Sequence, residues 1–260
     1  DIAALGTVAD LVPLVGENRK IVQLGLARMT ECPCLGIAAL IRVSGCEGKA
    51  INTGIVGFHL APRLNAAGRI ETARRGVELL SAEDVHEADR IAAELNALNT
   101  ERRDLEQDIL TEAESMLGGF TPDVPAIVAA GEDWNAGVIG IVASRLVEKY
   151  YRPSIVLTRQ GDVYKGSCRS IAGLHMYDAL AACRDTLIQF GGHAMAAGLT
   201  LECNRVEDFR RAFANYVNTQ LKIEDYTPKI PIEALVAPAD WTLPMVEEIA
   251  LLEPYGMGNP

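Results

Sequence analysis

The longest uninterrupted pattern in the sequence is a run of apolar residues at steps of three and four between residues 83 and 117. No glycine or proline interrupts this run before Gly118 and Gly119. Such spacing predicts one amphipathic helix, with Ser81 and Asp84 as a capping box at its start. About 35 residues at 1.5 Å each make it roughly 50 Å long. Because few helices within one globular domain are that long, the pattern predicts a helix that joins two folded bodies.

The sequence on either side of this helix predicts different kinds of structure. Residues 1–30 read as a strand or a buried helix end, then a turn near Pro13, then a helix from about Asn18. Beyond residue 119, short apolar strands alternate with helical patterns, which is typical of α/β layers. Residues 226–260 are acidic and rich in proline, with a short helix near 243–252. The predicted fold class is therefore α/β.

Composition excludes several classes of protein. Hydrophobic residues make up 49% of the chain and charged residues 23%, which indicates a globular protein and not a disordered one. No apolar run reaches the 18 or so residues of a membrane span, and no basic-then-apolar leader opens the sequence. The six cysteines are scattered, without zinc spacing, which favours free thiols in a reducing, cytoplasmic setting.

Asp10 is the first candidate for chemistry, at the end of the apolar run that begins at Ala4. A carboxylate at the tip of a buried element is suited to a hard divalent cation, which prefers oxygen ligands. The alternative is a helix cap or a turn before Pro13, and this is the more frequent role of aspartate. The spacing leaves both roles open.

A second candidate segment combines Arg63, Asn65, Gly68 and Arg69. Arginine presents a planar fork suited to phosphate, and glycine lets a backbone approach closely. Pro62 would stiffen such a phosphate-binding loop. The alternative is the start of a surface helix with solvated arginines, and the two interpretations are evenly balanced.

The third candidate is a pair of segments about twenty residues apart. The first places Ser167, Arg169 and Ser170 at a predicted strand end, and the second is Gly191-Gly192-His193. Two glycines expose backbone N–H groups that could form an anion nest, next to a histidine able to donate to phosphate. The alternative for this histidine is a hydrogen-bonded position in the core.

Trp134, followed by Asn135 and a glycine-containing helix start, is a further candidate. Its indole ring could stack on a base or a sugar, or it could belong to the core. The sequence leaves these two roles open.

Several segments, in this order along the chain, resemble the RecJ family of single-strand-specific 5′→3′ DNA exonucleases, within the DHH phosphoesterase superfamily. They are ALGTVADLVPL, GFHLAPRLNAAGRIETA, WNAGVIGIVASRL, KGSCRSI and GGHAMAAGLTL. The resemblance implies the end of a DHH phosphoesterase domain at 1–82 and a long connecting helix at 83–118. It implies a smaller DHH-associated α/β domain at 119–225, then a linker and the start of a truncated OB-fold region at 226–260.

The resemblance also implies roles for the candidate residues. Asp10 would be a catalytic carboxylate that binds one of two Mn²⁺ or Mg²⁺ ions, with Asp1 as second choice. Asn65 and His193 would be catalytic. The substrate would contact Arg63, Arg69, Trp134, Ser167, Arg169, Ser170, Gly191, Gly192 and His193. The implied reaction is metal-assisted hydrolysis of single-stranded DNA in repair and recombination, and helicases or single-strand-binding proteins are further expected partners.

Two departures from the family pattern limit these implications. The DxD and Asp-His-His motifs are absent from the 260 residues, so we expect this chain by itself to be inactive. Asn135 stands where the family usually has histidine after tryptophan. Two rival functions remain: a DHH-type phosphodiesterase for short oligonucleotides or cyclic dinucleotides, and a nucleic-acid-binding module without chemistry of its own.

The net charge of −11, taken alone, argues against a nucleic-acid partner. The acidic residues are concentrated, however, in residues 83–115, with a net charge of −8, and 222–260, with −5. The candidate segments are basic, with +3 over residues 58–75 and +4 over 145–170. This distribution predicts a narrow basic cleft, suited to one strand and not to broad contact with a duplex.

Overall fold

The computed structural model describes residues 1–119, 121, 123–230, 232 and 234–260. They form two compact units, one made of residues 1–102 with 232–260 and the other of residues 103–231. The helix predicted from residue 83 is present as a helix of 32 residues, Val85–Met116, whose sequence contributes to both units. The mixed α/β fold class is confirmed, because the second unit contains a five-stranded sheet. The four-part division into domains stays a prediction.

The first unit is helical. Its helices are α1 (Ile2–Ala9), α2 (Gly16–Glu31), α3 (Leu35–Val43), α4 (Thr53–Ile55), α5 (Ala61–Ile70), α6 (Arg74–Leu80) and the start of α7 (Val85–Met116). A π-helical turn, Val56–Leu60, leads directly into α5. Its apolar core includes Ile37, Leu40, Leu60, Leu79 and Ile91, all almost fully buried.

The last residues of the chain pack onto this unit. Arg19 of α2 donates to the carbonyl of Leu252 at 2.6 Å, and the backbone N–H of Leu14 donates to the carbonyl of Met257 at 2.6 Å. The short helix predicted near 243–252 is present as α11 (Leu243–Ala250). Hydrogen bonds far apart in sequence thus hold this segment against α2 and the turn that precedes it.

The start of α7 differs from the predicted capping box. The Asp84 carboxylate accepts a hydrogen bond from the backbone N–H of Glu87 at 2.9 Å, and is therefore the cap. The Ser81 hydroxyl instead donates to the carbonyl of Val77 at 2.8 Å, at the end of α6. The helix ends at Met116, before Gly118 and Gly119 as predicted, whereas Phe120 and Pro122 of the predicted terminator lie outside the described residues.

The second unit is built on one sheet in the order β1-β2-β3-β5-β4. Its strands are β1 (Ile127–Gly131), β2 (Ser154–Gln160), β3 (Val163–Arg169), β4 (Gln189–Gly192) and β5 (Ala196–Glu202), and its remaining helices are α8 (Ile139–Tyr150), α9 (Met176–Ala182) and α10 (Val206–Gln220). Strands β1 and β2 are parallel, and the other neighbours are antiparallel.

The two faces of this sheet are covered differently. One face carries Ile155, Cys168 and Leu199, which pack with Phe209 and Phe213 of α10 in one buried cluster. Side chains on a strand alternate between faces, so Ser167 and Arg169 lie on the other face. Helix α8 packs there against β2 and β3.

Among the described residues, no single helix meets the length and hydropathy expected of a membrane span. One consecutive pair, α2 with α3, meets them only when both helices are counted together, across a bend of 73°.

Candidate nucleic-acid interface

The uncovered part of the sheet lies over β5 and β4. Ser167 of β3 pairs with Gly198 of β5, and Gly198 pairs with Gly191 of β4, so these three residues form one row across a single face. Gly198 and Gly191 are exposed, in contrast to the part of this face that α8 covers. Because glycine has no side chain, the row leaves a shallow polar surface on which a ligand could contact the backbone.

Arg169 and Ser167 lie where this surface meets the first turn of α8. A Cβ atom placed on Gly140 would come within 2.9 Å of the Ser167 Oγ and 3.1 Å of the Arg169 Nη2. Arg169 is held in part by a hydrogen bond of 2.8 Å from its Nη1 to the carbonyl of Cys168. A guanidinium, a hydroxyl and the positive end of a helix dipole therefore converge, a combination that favours a phosphate group.

Gly191 and Gly192 do not form the predicted anion nest. They lie in the edge strand β4, where successive N–H groups point in opposite directions and cannot converge on one anion. Gly192 has φ +150°, and a Cβ there would lie 2.4 Å from the Cα of Ala197, so only glycine fits. The strand turns at His193, whose backbone N–H donates to the carbonyl of Ala196 at 2.8 Å. The His193 side chain is exposed at this turn, so the core alternative for it is wrong.

Two predicted substrate contacts are instead parts of the core. The Ser170 hydroxyl is buried and donates to the carbonyl of Leu174 at 2.8 Å. Trp134 is 8% exposed, and its indole Nε1 donates to the Glu112 carboxylate at 2.7 Å. Neither side chain faces solvent, so the prediction that they bind substrate is corrected to a packing role.

Asn135 has a structural task at the start of α8. Its side-chain oxygen accepts from the backbone N–H of Gly137 at 2.8 Å, and its carbonyl accepts from Val138 and Ile139. This arrangement is an Asx turn, which orders residues 135–138 directly before α8 begins at Ile139. The asparagine at this position therefore helps to fix where α8 begins.

The segment from Arg63 to Arg69 is helical, so of the two evenly balanced interpretations the helix is the one that the structure has. Pro62 lies in the first turn of α5, where the missing N–H of proline is tolerated. Arg63 is half-buried, and its Nε donates to Asn96 of α7 at 2.8 Å while its Nη1 donates to the carbonyl of His59 at 2.5 Å. Asn65 and Arg69 are both exposed, one helical turn apart.

Among the described residues of the first unit, the carboxylates do not form a metal centre. Asp10 is the exposed C-terminal cap of α1. Asp1, the second choice, is already engaged, because its two oxygens accept from the N–H groups of Ile2 and Cys34 at 2.8 Å each. Within the described ranges, no group of three or more histidine, cysteine, aspartate or glutamate side chains is placed to hold a metal ion. These residues do not fit a two-metal site by themselves.

The buried cysteines do not supply reactive thiolates. Burial raises the pKa of the Cys168 thiol to about 12 and that of Cys183 to about 11. Both are therefore neutral at physiological pH, and all six cysteines are free. This agrees with the expectation that the cysteines are free thiols.

Two residues of this surface were missed in the sequence. Lys165, Ser167 and Arg169 stand at every second position of β3 and therefore lie on the same face. Lys165 is exposed, so it adds a second positive charge to this face. Gly140 sets the distance between α8 and this row. The period-two alternation could have revealed Lys165, whereas the close approach at Gly140 exists only in the folded chain.

Comparisons with known proteins find one matching domain family and several similar proteins. The DHHA1 domain model matches residues 123–219. The single-stranded-DNA-specific exonuclease RecJ of Bacillus subtilis is 45% identical over 262 residues, which cover 100% of this chain and 33% of the relative. The Escherichia coli protein of the same name is 38% identical over 271 residues, with 100% and 47% covered. The chain thus spans between a third and a half of the length of these relatives.

Solved structures show the same similarity in three dimensions. Crystal structures of RecJ from Thermus thermophilus in complex with Mg²⁺ and with Mn²⁺ match 99% of this chain, with TM-scores of 0.86 and 0.83. The sequence identities are 36% and 35%, and the match covers 40% and 38% of those chains. The similarity extends over the whole length of the chain in sequence and in structure. The chain therefore belongs to the RecJ family, and it contains a DHHA1 domain.

Proposed function

We propose that this chain is part of a single-strand-specific 5′→3′ exonuclease that hydrolyses phosphodiester bonds in DNA repair and recombination, in the cytoplasm. The similar proteins of B. subtilis and E. coli are named as single-stranded-DNA-specific exonucleases. The task of the described residues in this enzyme is to bind the strand. Helicases and single-strand-binding proteins, as partners, stay predictions.

The observation that carries the proposal is the convergence of Arg169, Ser167 and the start of α8 beside an open row of glycines. Arg169 would bind a phosphate oxygen with its fork, and Ser167 would donate a second hydrogen bond. The positive end of the α8 dipole adds to the attraction. Because Gly198 and Gly191 carry no side chains, the row leaves room for the sugar–phosphate backbone of one strand.

Divalent metal ions belong to the proposal because the solved T. thermophilus relatives contain Mg²⁺ or Mn²⁺. The described residues do not build a metal site, so we assign them no metal-dependent step. Asp10 is the residue that would contribute a carboxylate, since it is exposed at the end of a helix whose Ala4, Leu5 and Val8 are buried.

Three further residues would contact the strand. They are Asn65 and Arg69, exposed on α5, and His193 in the second unit.

The test is the affinity of the 260-residue chain for a fluorescent single strand, measured by anisotropy over a range of salt concentrations. Arg169→Ala should weaken binding roughly tenfold, because it removes a charged hydrogen bond. It should also lower the slope of log Kd against log salt by about 0.7, the contribution of one phosphate contact.

The matched control is Arg211→Ala. Arg211 lies on α10, which covers the opposite face of the sheet, and its side chain is 74% exposed and paired with Asp208. This variant should leave both the affinity and the salt slope unchanged. An Arg169→Ala slope equal to that of the wild type would refute the phosphate role.

A further inference from the structure

A second surface, in the first unit, has the features of a nucleobase site. Phe58 lies on the π-helical turn Val56–Leu60 and is 83% exposed, which is unusual for a phenylalanine. Single π-helical turns occur frequently at functional sites. An exposed aromatic ring on an irregular turn is suited to contact a ligand that has an aromatic face.

Phe58 forms one wall of a groove of about 450 Å³. This volume is within the range of small-molecule sites. The groove is predominantly apolar, and its lining includes Val8, Leu11, Leu14, Tyr255 and Met257. Leu11 is 73% exposed in a left-handed conformation, with φ +54°, and Met257 is 60% exposed. The groove therefore offers an apolar lining to its occupant.

The position of the groove connects it with the residues proposed to bind the strand. Its lining includes Ala9, the neighbour of Asp10, and the turn that bears Phe58 runs directly into α5, which carries Asn65 and Arg69. Helix α5 contains two arginines, Arg63 and Arg69, and no acidic residue, whereas Arg74 and Arg75 of α6 are paired with Glu78. An apolar groove beside a positive segment matches single-stranded nucleic acid, whose bases are apolar on their faces and whose backbone is negative.

We propose that Phe58 stacks on a base of the bound single strand, with the groove behind it receiving the base. This inference rests on the proposed function, because it supplies a base contact for the single strand that the chain is proposed to bind. Stacking does not depend on the identity of the base, since every base has a π face, so the site fits an enzyme without sequence preference.

The test uses single strands in which one adenine is replaced by 2-aminopurine, a base whose fluorescence falls when it stacks on an aromatic ring. In the wild-type chain, quenching should occur at one position as the analogue is moved along the strand. Phe58→Ala should abolish that quenching and weaken binding roughly 5- to 150-fold. Because Phe58 is 83% exposed, the substitution should leave the far-UV circular dichroism unchanged.

Two further variants separate stacking from simple apolar contact. Phe58→Trp should keep the quenching and the affinity of the wild type. Phe58→Leu, which keeps the apolar character without a π face, should lose both, as Phe58→Ala does. The control is Trp241→Ala, which removes another exposed aromatic residue of the same unit that is not part of the groove lining. It should leave quenching and affinity unchanged.

The inference is refuted if Phe58→Ala leaves both the quenching and the affinity at their wild-type values, or if Phe58→Leu behaves like the wild type. It is also refuted if Trp241→Ala reduces quenching as much as Phe58→Ala. Failure of the proposed function gives a different result, because the wild-type chain would then bind no single strand, with or without Arg169.

Discussion

Gly140 lies where the first turn of α8 meets the side chains of Ser167 and Arg169. The space that its missing Cβ leaves is filled by the Ser167 hydroxyl and the end of the Arg169 guanidinium. A single hydrogen atom at this position therefore allows a helix start and a cation to approach one another. In the proposed interface, Gly140 is a positioning residue that does not itself contact the strand.

Gly140→Ala should leave the fold intact and weaken strand binding. The new methyl group would lie 2.9 Å from the Ser167 Oγ and 3.1 Å from the Arg169 Nη2, so both side chains must move away. The far end of an arginine moves at low cost, and alanine favours a helix over glycine by about 1 kcal/mol, so the Tm should not fall. We expect the Kd to rise roughly fivefold, on the order of one lost hydrogen bond.

Gly6→Ala is the matched control for this substitution. Gly6 is also a helical glycine, and no atom lies within 4 Å of the position that its Cβ would take. It should raise the stability slightly and leave the Kd unchanged. Equal binding by the Gly140→Ala variant and the wild type would show that the contact with Arg169 and Ser167 does not matter for the strand.

At the scale of elements, α7 is stabilised by a cap and by ion pairs along its length. Its acidic residues pair with basic residues of neighbouring elements, including Glu94 with Arg75 of α6 at 2.9 Å and Glu106 with Arg145 of α8 at 2.9 Å. The pair between Glu94 and Arg75 is exposed and contributes about 0 to 1 kcal/mol, whereas Glu106 is buried and its pair with Arg145 is partly shielded from water. The acidity of α7 is therefore partly balanced within the fold.

The cap of α7 gives a direct test of how the helix begins. Asp84→Ala should lower the free energy of unfolding by about 1 kcal/mol, because it leaves the Glu87 N–H without its side-chain acceptor. In differential scanning calorimetry this corresponds to a fall in Tm of about 2 to 4 °C for a chain of this size. Ser81→Ala, in contrast, should change the Tm by much less, since the Ser81 hydroxyl bonds only to carbonyls at the end of α6. If Ser81→Ala lowered the Tm more than Asp84→Ala does, the capping box would be the correct interpretation.

The regular elements were predictable where local patterns decide the structure. The long helix lies within a few residues of its predicted position, and β1, β2, β3, β5 and α10 lie beyond residue 119, where alternating strands and helices were predicted, because period-two and helical spacing are strong there. Strand β4 was missed since Gly191 and Gly192 have low strand propensity, and its pairing with Gly198 and Ala197 is decided by tertiary structure.

In the candidate site, too, the features that depend on local sequence were predictable and those that depend on tertiary contacts were not. The strand end predicted at Arg169 is confirmed, because β3 ends there. The burial of Trp134 and Ser170 was not predictable, because it depends on Glu112 and Leu174, their hydrogen-bond partners in the fold. Around Arg63 the sequence left a loop and a helix start equally open, because Pro62 is as suitable for the first turn of a helix as for a rigid loop.

At the scale of the whole molecule, the chain combines a net charge of −11 with basic candidate segments and lacks, in its described part, the ligands of a metal site. These features together predict a chain that binds one DNA strand and does not cut it. Duplex DNA should bind more weakly, because the acidic residues of α7 and of residues 222–260 repel a wide, highly charged ligand.

The anisotropy of a 3′-labelled single strand, recorded over time with the 260-residue chain and Mn²⁺, tests this account most directly. The account predicts that the anisotropy rises on mixing and then stays constant, with a smaller rise for the same sequence as a duplex. A rise followed by decay to the value of a free nucleotide would show that the chain holds a complete metal site and cuts the strand. No rise at all, or an equal rise with the duplex, would contradict its role as a single-strand-binding part of an exonuclease.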